Sequence, residues 1–164
     1  MMPRLSFKNY LYTFVALLSL CASTSLNAQN TEVAVEVYNR TYENIYISFA
    51  YKAHDEAGLS DYTIGWYEVK YRGVFTTKLE IAPDTDLLYH AHTQSDQNDH
   101  WGGKDFLMVH PKNTFWLRDA RNALLAYSYD QGLSEEEEKN LQAFPFNTIK
   151  YNKQKKAFVI VLTP

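Results

Sequence analysis

The chain is short of several things, and each shortage excludes something. It has one cysteine, Cys21, in 164 residues. A small domain stapled by disulfides needs an even set of cysteines, so that class is excluded. Lys and Arg number 16 against 19 Asp and Glu, for a net charge of -3. A strongly basic nucleic-acid binder would need a cationic excess to neutralise phosphates, and none is present. The longest apolar stretch, Leu11–Ala22, is interrupted by Tyr12, Thr13 and Ser19. A comfortable membrane span needs roughly 20 apolar residues. There is no Gly-x-Ser-x-Gly elbow, no Gly-x-Gly-x-x-Gly or phosphate loop, and no His-Glu-x-x-His. What the chain does have is 46% hydrophobic and 15% aromatic content, enough to bury a core and to exclude disorder.

The N-terminal segment reads as an address. Arg4 and Lys8 lie in an acid-free start, Leu11–Ala22 is the apolar run, and small and polar residues lead to Ala28-Gln29. That order is a secretory signal peptide over residues 1–28, followed by one β-rich domain over residues 29–164. Leu26 is large for its place three residues before the cut, which leaves an uncleaved anchor as the alternative. A lipoprotein reading through Cys21 is set back by the bulk of Leu20. The expected destination is secreted or periplasmic, with no stable membrane span after cleavage. Removal of residues 1–28 would leave 14 basic against 19 acidic residues and no thiol. Stability in an oxidising compartment would then rest on the core alone.

The body alternates with period two. Val33, Val35 and Val37 alternate with Glu32, Ala34 and Glu36, and Ile45, Ile47, Phe49 and Tyr51 repeat the pattern. The short link at Asn39-Arg40-Thr41 suggests that these two strands form a hairpin. Further strands are expected over Tyr62–Tyr71, Val74–Ile81, Leu87–Thr93, Lys104–His110 and Asn113–Arg118. Phe146–Tyr151 and Ala157–Thr163 are expected to close the chain as a hairpin. Gly65 inside an aromatic run signals a bulge or a close backbone approach. Phe158–Leu162 is apolar on both faces and reads as a central strand. Ser134 with Glu137 makes a capping box, so one short helix is expected over Glu135–Ala143. The sum is an all-β fold, an antiparallel β-sandwich or open barrel of about nine strands with one short helix.

Several blocks, taken in order, resemble a bacterial family known as domain of unknown function 1036. They are Tyr38-Asn39-Arg40-Thr41, the strand ending Phe49-Ala50-Tyr51, Gly65-Trp66-Tyr67, Tyr71-Arg72-Gly73, Tyr89-His90-Ala91, Trp101-Gly102-Gly103-Lys104 and the closing strand to Leu162-Thr163. The resemblance spans almost all of residues 29–164 and implies a small, exported, β-rich protein. It brings no reaction with it. Family members often carry cysteines where Tyr38 and Phe75 stand, so any role of those thiols does not transfer.

Two sites stand out. The loop from Gln94 to Lys104 is polar and ends Trp101-Gly102-Gly103-Lys104. A Trp beside amides and acids suits a glycan or peptide, since the ring stacks while polar groups read hydroxyls. Trp101 would stack, Asp99 accept hydrogen bonds, Lys104 offer charge, and Gly102 and Gly103 shape the turn. The plainer reading tucks Trp101 over the end of the sandwich. His90 and His92 leave one strand face together, and His100 follows, so these three are candidate zinc ligands, an alternative to histidines that are simply packed or solvated. Trp66 and Tyr67 point to opposite faces, so at most one is expected in the core, while Trp116 is expected there. Arg118, Asp119 and Arg121 read as surface charge pairs. With no catalytic motif and no required cofactor, the expected role is binding a glycan, peptide or protein at the cell envelope. A metal site at the histidines and a structural envelope component are the alternatives.

Overall fold

A computed structural model describes residues 29–96, 100–111, 115–118 and 140–164. The segment read as a signal peptide, Asp99, Asp119, Arg121 and residues 135–139 of the expected helix lie outside them. The described residues form ten strands: β1 (Thr31–Asn39), β2 (Ile45–Asp55), β3 (Gly58–Val69), β4 (Val74–Ile81), β5 (Leu87–Thr93), β6 (His100–Trp101), β7 (Asp105–Val109), β8 (Phe115–Arg118), β9 (Gln142–Ile149) and β10 (Ala157–Leu162). No helix occurs among the described residues, and Gln142 and Ala143, the end of the expected helix, begin β9. The all-β class holds.

Two sheets are built. One has three strands in the order β10-β1-β4. The other is a curled sheet ordered β7-β9-β5-β2-β3-β8, with β6 also paired to β5. Neighbouring strands run antiparallel except β1 and β10, which are parallel from Ala34↔Ala157 to Asn39↔Leu162.

This topology overturns both expected hairpins. β1 pairs with β10 and β4, while β2 pairs with β3 and β5 in the other sheet. The reason lies in the link itself. Asn39, 2% exposed, turns its side chain inward at the end of β1. Its Nδ2 donates to the carbonyls of Glu43 (2.8 Å), Val69 (3.0 Å) and Lys70 (3.1 Å). Its Oδ1 accepts from the Thr41 amide (2.9 Å) and hydroxyl (2.7 Å). The link is therefore fixed to the end of β3, and it carries the chain across to the second sheet instead of folding it back. The closing hairpin fails similarly. β9 belongs to the curled sheet and β10 to the other, and the turn between them keeps one bridge, Asn152↔Ala157. β10 lies at the edge of its sheet rather than the centre, with Val161 47% exposed.

The curled sheet is covered on both faces. Its outer face packs Ile45, Ile47, Phe49, Val69 and Leu87 against Val35, Val37, Leu79, Phe158, Ile160 and Leu162 of the three-stranded sheet. Its inner face carries a second cluster of Trp66, Leu107, Val109, Phe115, Leu117, Phe144 and Phe146. Trp66 and Tyr67 do point to opposite faces, yet each packs against a core, because there are two. The limit of one was set by assuming a single buried face. Trp116 is half-buried, its ring 5.0 Å from Tyr62. Gly65 meets its expectation. The β2–β3 register shifts between Ile47 and Phe49, and a Cβ on Gly65 would come within 2.7 Å of Ser48 Cβ. Arg118 is half-buried and bonds to Asp55 (2.9 Å) and Ser60 (2.9 Å), which ties β8 to the β2–β3 hairpin. That is more than a solvated surface pair, because neither Arg118 nor Asp55 is more than about a third exposed.

Candidate functional site

Period two decides what faces the inside of the curl. β5 sends Leu88, His90 and His92 there, β9 sends Phe144, Phe146 and Thr148, and β7 sends Asp105, Leu107 and Val109. The two ends of this inner face differ. One is plugged by aromatic rings and the two histidines. The other opens as a cleft of about 340 Å³.

The cleft is lined by Ala50, Leu88 and Leu107 as apolar surface, with Thr63 and Thr148 beside them. Around these stand Lys52, Asp61, Asp84, Asp86 and Asp105, one ammonium against four carboxylates. Lys52 and Asp61 are direct cross-strand partners with a 3.8 Å ion pair. Lys150 pairs with Asp86. Residues 82–86 border the cleft, tied to β2 by the Ala82 amide donating to Lys52 O (2.7 Å) and braced internally by the Thr85 hydroxyl donating to Ala82 O (2.7 Å). Asp84 takes a positive φ of 56° there, which an Asp tolerates better than most residues. Tyr51 and Tyr62 also border the cleft, and burial pushes both hydroxyls up to about 12, so they stay neutral. Chemically, the cleft offers a surplus of hydrogen-bond acceptors and negative charge.

The Trp101–Lys104 segment sits elsewhere and is held down. Trp101 is half-buried against the core between the sheets, and its indole N–H donates to Thr163 O (2.9 Å). Gly102 and Gly103 lie flat on β9. A Cβ on Gly102 would come 2.6 Å from Pro145 Cγ, and one on Gly103 2.5 Å from Asn147 Oδ1 with the Phe146 carbonyl as close. Space, not backbone angle, explains both, since Gly58 alone among the described glycines has a positive φ. Lys104 is exposed, and the next residue, Asp105, is the one that reaches the cleft.

His90 and His92 share the inner face as expected, at 1% and 4% exposure. His90 Nδ1 lies 2.7 Å from Pro145 O and His92 Nδ1 2.7 Å from Thr93 O. A carbonyl can only accept, so both Nδ1 atoms carry the proton. His90 Nε2 is buried with no hydrogen-bond partner among the described residues. His100 is exposed, with its ring 5.4 Å from His90. Among the described residues, no three His, Asp or Glu side chains are grouped so as to hold a metal ion. Burial lowers the pKa of both buried rings, that of His90 to about 4.

Sequence reasoning picked out the histidine pair and the glycine loop but missed the cleft. Its residues come from five strands and one loop, and only Pro83-Asp84 left a local signal, as a strand break. Comparison of the chain with family models, with curated proteins and with solved structures found no match.

Proposed function

We propose that this is an exported binding domain whose ligand seats in the cleft inside the curled sheet. The cleft carries the reading. Its volume of about 340 Å³ lies at the lower end of the range for small-ligand sites. Its lining is more polar than that of most small-ligand sites, with a small apolar floor ringed by threonines and charged groups, which suits a hydrophilic ligand. Among the described lining residues there is no His or Cys to pair with a threonine as base or nucleophile, which favours binding over triad-type catalysis. Four carboxylates, of which Asp61 is paired to Lys52 and Asp86 to Lys150, leave an excess of acceptors that selects for donors, which means the hydroxyls of a glycan or the basic side chain of a peptide. The signal-like pattern of residues 1–28 supports export.

The test is calorimetric titration of the purified protein with chitin oligosaccharides and with tri-lysine. One of the two should bind saturably. Asp61→Asn and Asp105→Asn should each weaken that binding about tenfold or more, the worth of a charge-assisted hydrogen bond. Failure of both probes to bind, or binding untouched by either substitution, would overturn the cleft as the ligand site.

A further inference from the structure

Two buried histidines lie outside the cleft, and one of them sits at a seam. β9 pairs with β5 through only three positions, Leu87↔Ile149, Leu88↔Thr148 and Tyr89↔Asn147. β6 pairs along β5 at Ala91 and His92. Between these two pairings lies His90. Its ring bridges to β9 by donating Nδ1–H to Pro145 O at 2.7 Å. We propose that His90 is an acid-sensitive latch that holds β9, with β7 paired to it, on the curled sheet, and that charging the ring releases them.

The surroundings of the ring fit a neutral group and no other. Phe144 packs on it at 5.0 Å, Trp66 at 5.7 Å and Phe146 at 5.9 Å. The titratable groups that act on it are His92 on its own strand and His100 on β6, and both disfavour a second positive charge. Trp66 of β3 and Phe144, Pro145 and Phe146 of β9 bring no charge. A proton added at Nε2 finds no acceptor among the described residues, because that atom is buried without a partner. To hydrate the charge, the ring must leave its place, and the bond to Pro145 goes with it. The same movement frees the strip of β9 on which Gly102 and Gly103 lie. It also displaces Thr148, Asp105 and Leu107, one wall of the cleft. That last consequence rests on the proposed binding site, whereas the latch does not.

The sign is fixed by the buried ring being harder to protonate than a free one. Closure is fully favoured above the ordinary histidine value of 6.5 and weakens as pH falls toward about 4. With those two values, the opening equilibrium at pH 4.5 exceeds that at pH 7.5 by on the order of tenfold to a hundredfold.

Hydrogen exchange of backbone amides, corrected for intrinsic rates, tests this on the full chain. From pH 7.5 to 4.5, protection of amides in β7 and β9 should drop tenfold or more relative to amides in the β1–β4 ladder. His90→Gln, which keeps a donor and removes the titration, should abolish that difference, while His92→Gln should leave it. Equal loss across both sheets, no loss in β9, or the same selective loss in His90→Gln would each overturn the latch. If His90→Gln does not fold, ring nitrogen NMR on the unaltered protein decides instead. His90 should show the Nδ1-protonated neutral form at pH 6 and titrate below it, and a ring that titrates at or above 6.5 would refute the proposal. Tri-lysine and chitin-oligosaccharide titrations at both pH values separate the two ideas. Selective acid opening without binding would leave the latch standing and the cleft reading fallen.

Discussion

Asn39 offers the sharpest test of how the two sheets are joined. Its Nδ2 has two hydrogens and faces three carbonyls, so two full bonds are shared among Glu43, Val69 and Lys70. Its Oδ1 accepts two more from Thr41. The backbone at the same corner is engaged as well, with the Asn39 amide donating to Gly73 O (3.0 Å) and the Arg40 amide to Leu162 O (2.9 Å). Four side-chain bonds at about 1 kcal/mol each set an upper figure of roughly 4 kcal/mol for Asn39→Ala. Water can reach the partly buried bonds to Glu43 and Lys70 but not the buried one to Val69, which brings the expectation to about 3 kcal/mol. At roughly 3 °C per kcal/mol for a domain of this size, the melting temperature should fall about 9 °C. Asn39→Asp is almost isosteric and should be worse at neutral pH, because it points a charged acceptor at three carbonyls. Urea unfolding at pH 7, with heat-induced melting beside it, measures both. A loss under about 1 kcal/mol for the Ala variant, or an Asp variant as stable as the unaltered chain, would show that Asn39 does not fix the crossing.

The other substitutions probe the loop on β9. Gly103→Ala drives a methyl into the Phe146 carbonyl and the Asn147 side chain and should cost about 2 kcal/mol by urea unfolding, as overpacking does; a neutral outcome would mean that the loop is not seated there. Trp101→Phe should cost about 1 kcal/mol for the lost bond to Thr163, and Trp101→Ala about 2–3 kcal/mol for the half-buried ring as well. If Trp101→Ala instead left stability intact and removed glycan or peptide binding, the exposed-loop site would replace the cleft.

Strands were legible wherever one face was buried and the other wet. β1 alternates with Val33, Val35 and Val37 buried, and β4 and β5 begin and end where their patterns placed them. Pairing was not legible, because a period of two assigns faces and says nothing of partners. The usual bias toward adjacent strands pairing then pointed the wrong way for β1 with β2 and for β9 with β10. In the first case a buried Asn side chain decides the crossing, and such a residue looks like any turn residue in the sequence. In the second, apolar residues on both faces of β10 suggested a central strand, but Val161 is exposed at an edge.

The candidate site divides along the same physical line. His90 and His92 were legible as a pair because their geometry follows from spacing alone. Whether that face met water or a second core depended on residues far along the chain, chiefly Trp66, Phe144 and Phe146. That difference reverses the chemistry expected of the imidazoles. On a solvated face they would be ready to charge or to share a cation. Packed among rings, with each Nδ1–H spent on a carbonyl, they are held neutral and His90 becomes costly to protonate. The Trp101-Gly102-Gly103 loop shows the converse. Its residue types are those of a recognition loop, but Gly102 and Gly103 are small because β9 lies against them. Residue type restricts what a position can do, and contact with distant strands selects among those uses. The cleft has no local motif because strands as far apart in sequence as β2 and β9 each contribute no more than three side chains to it.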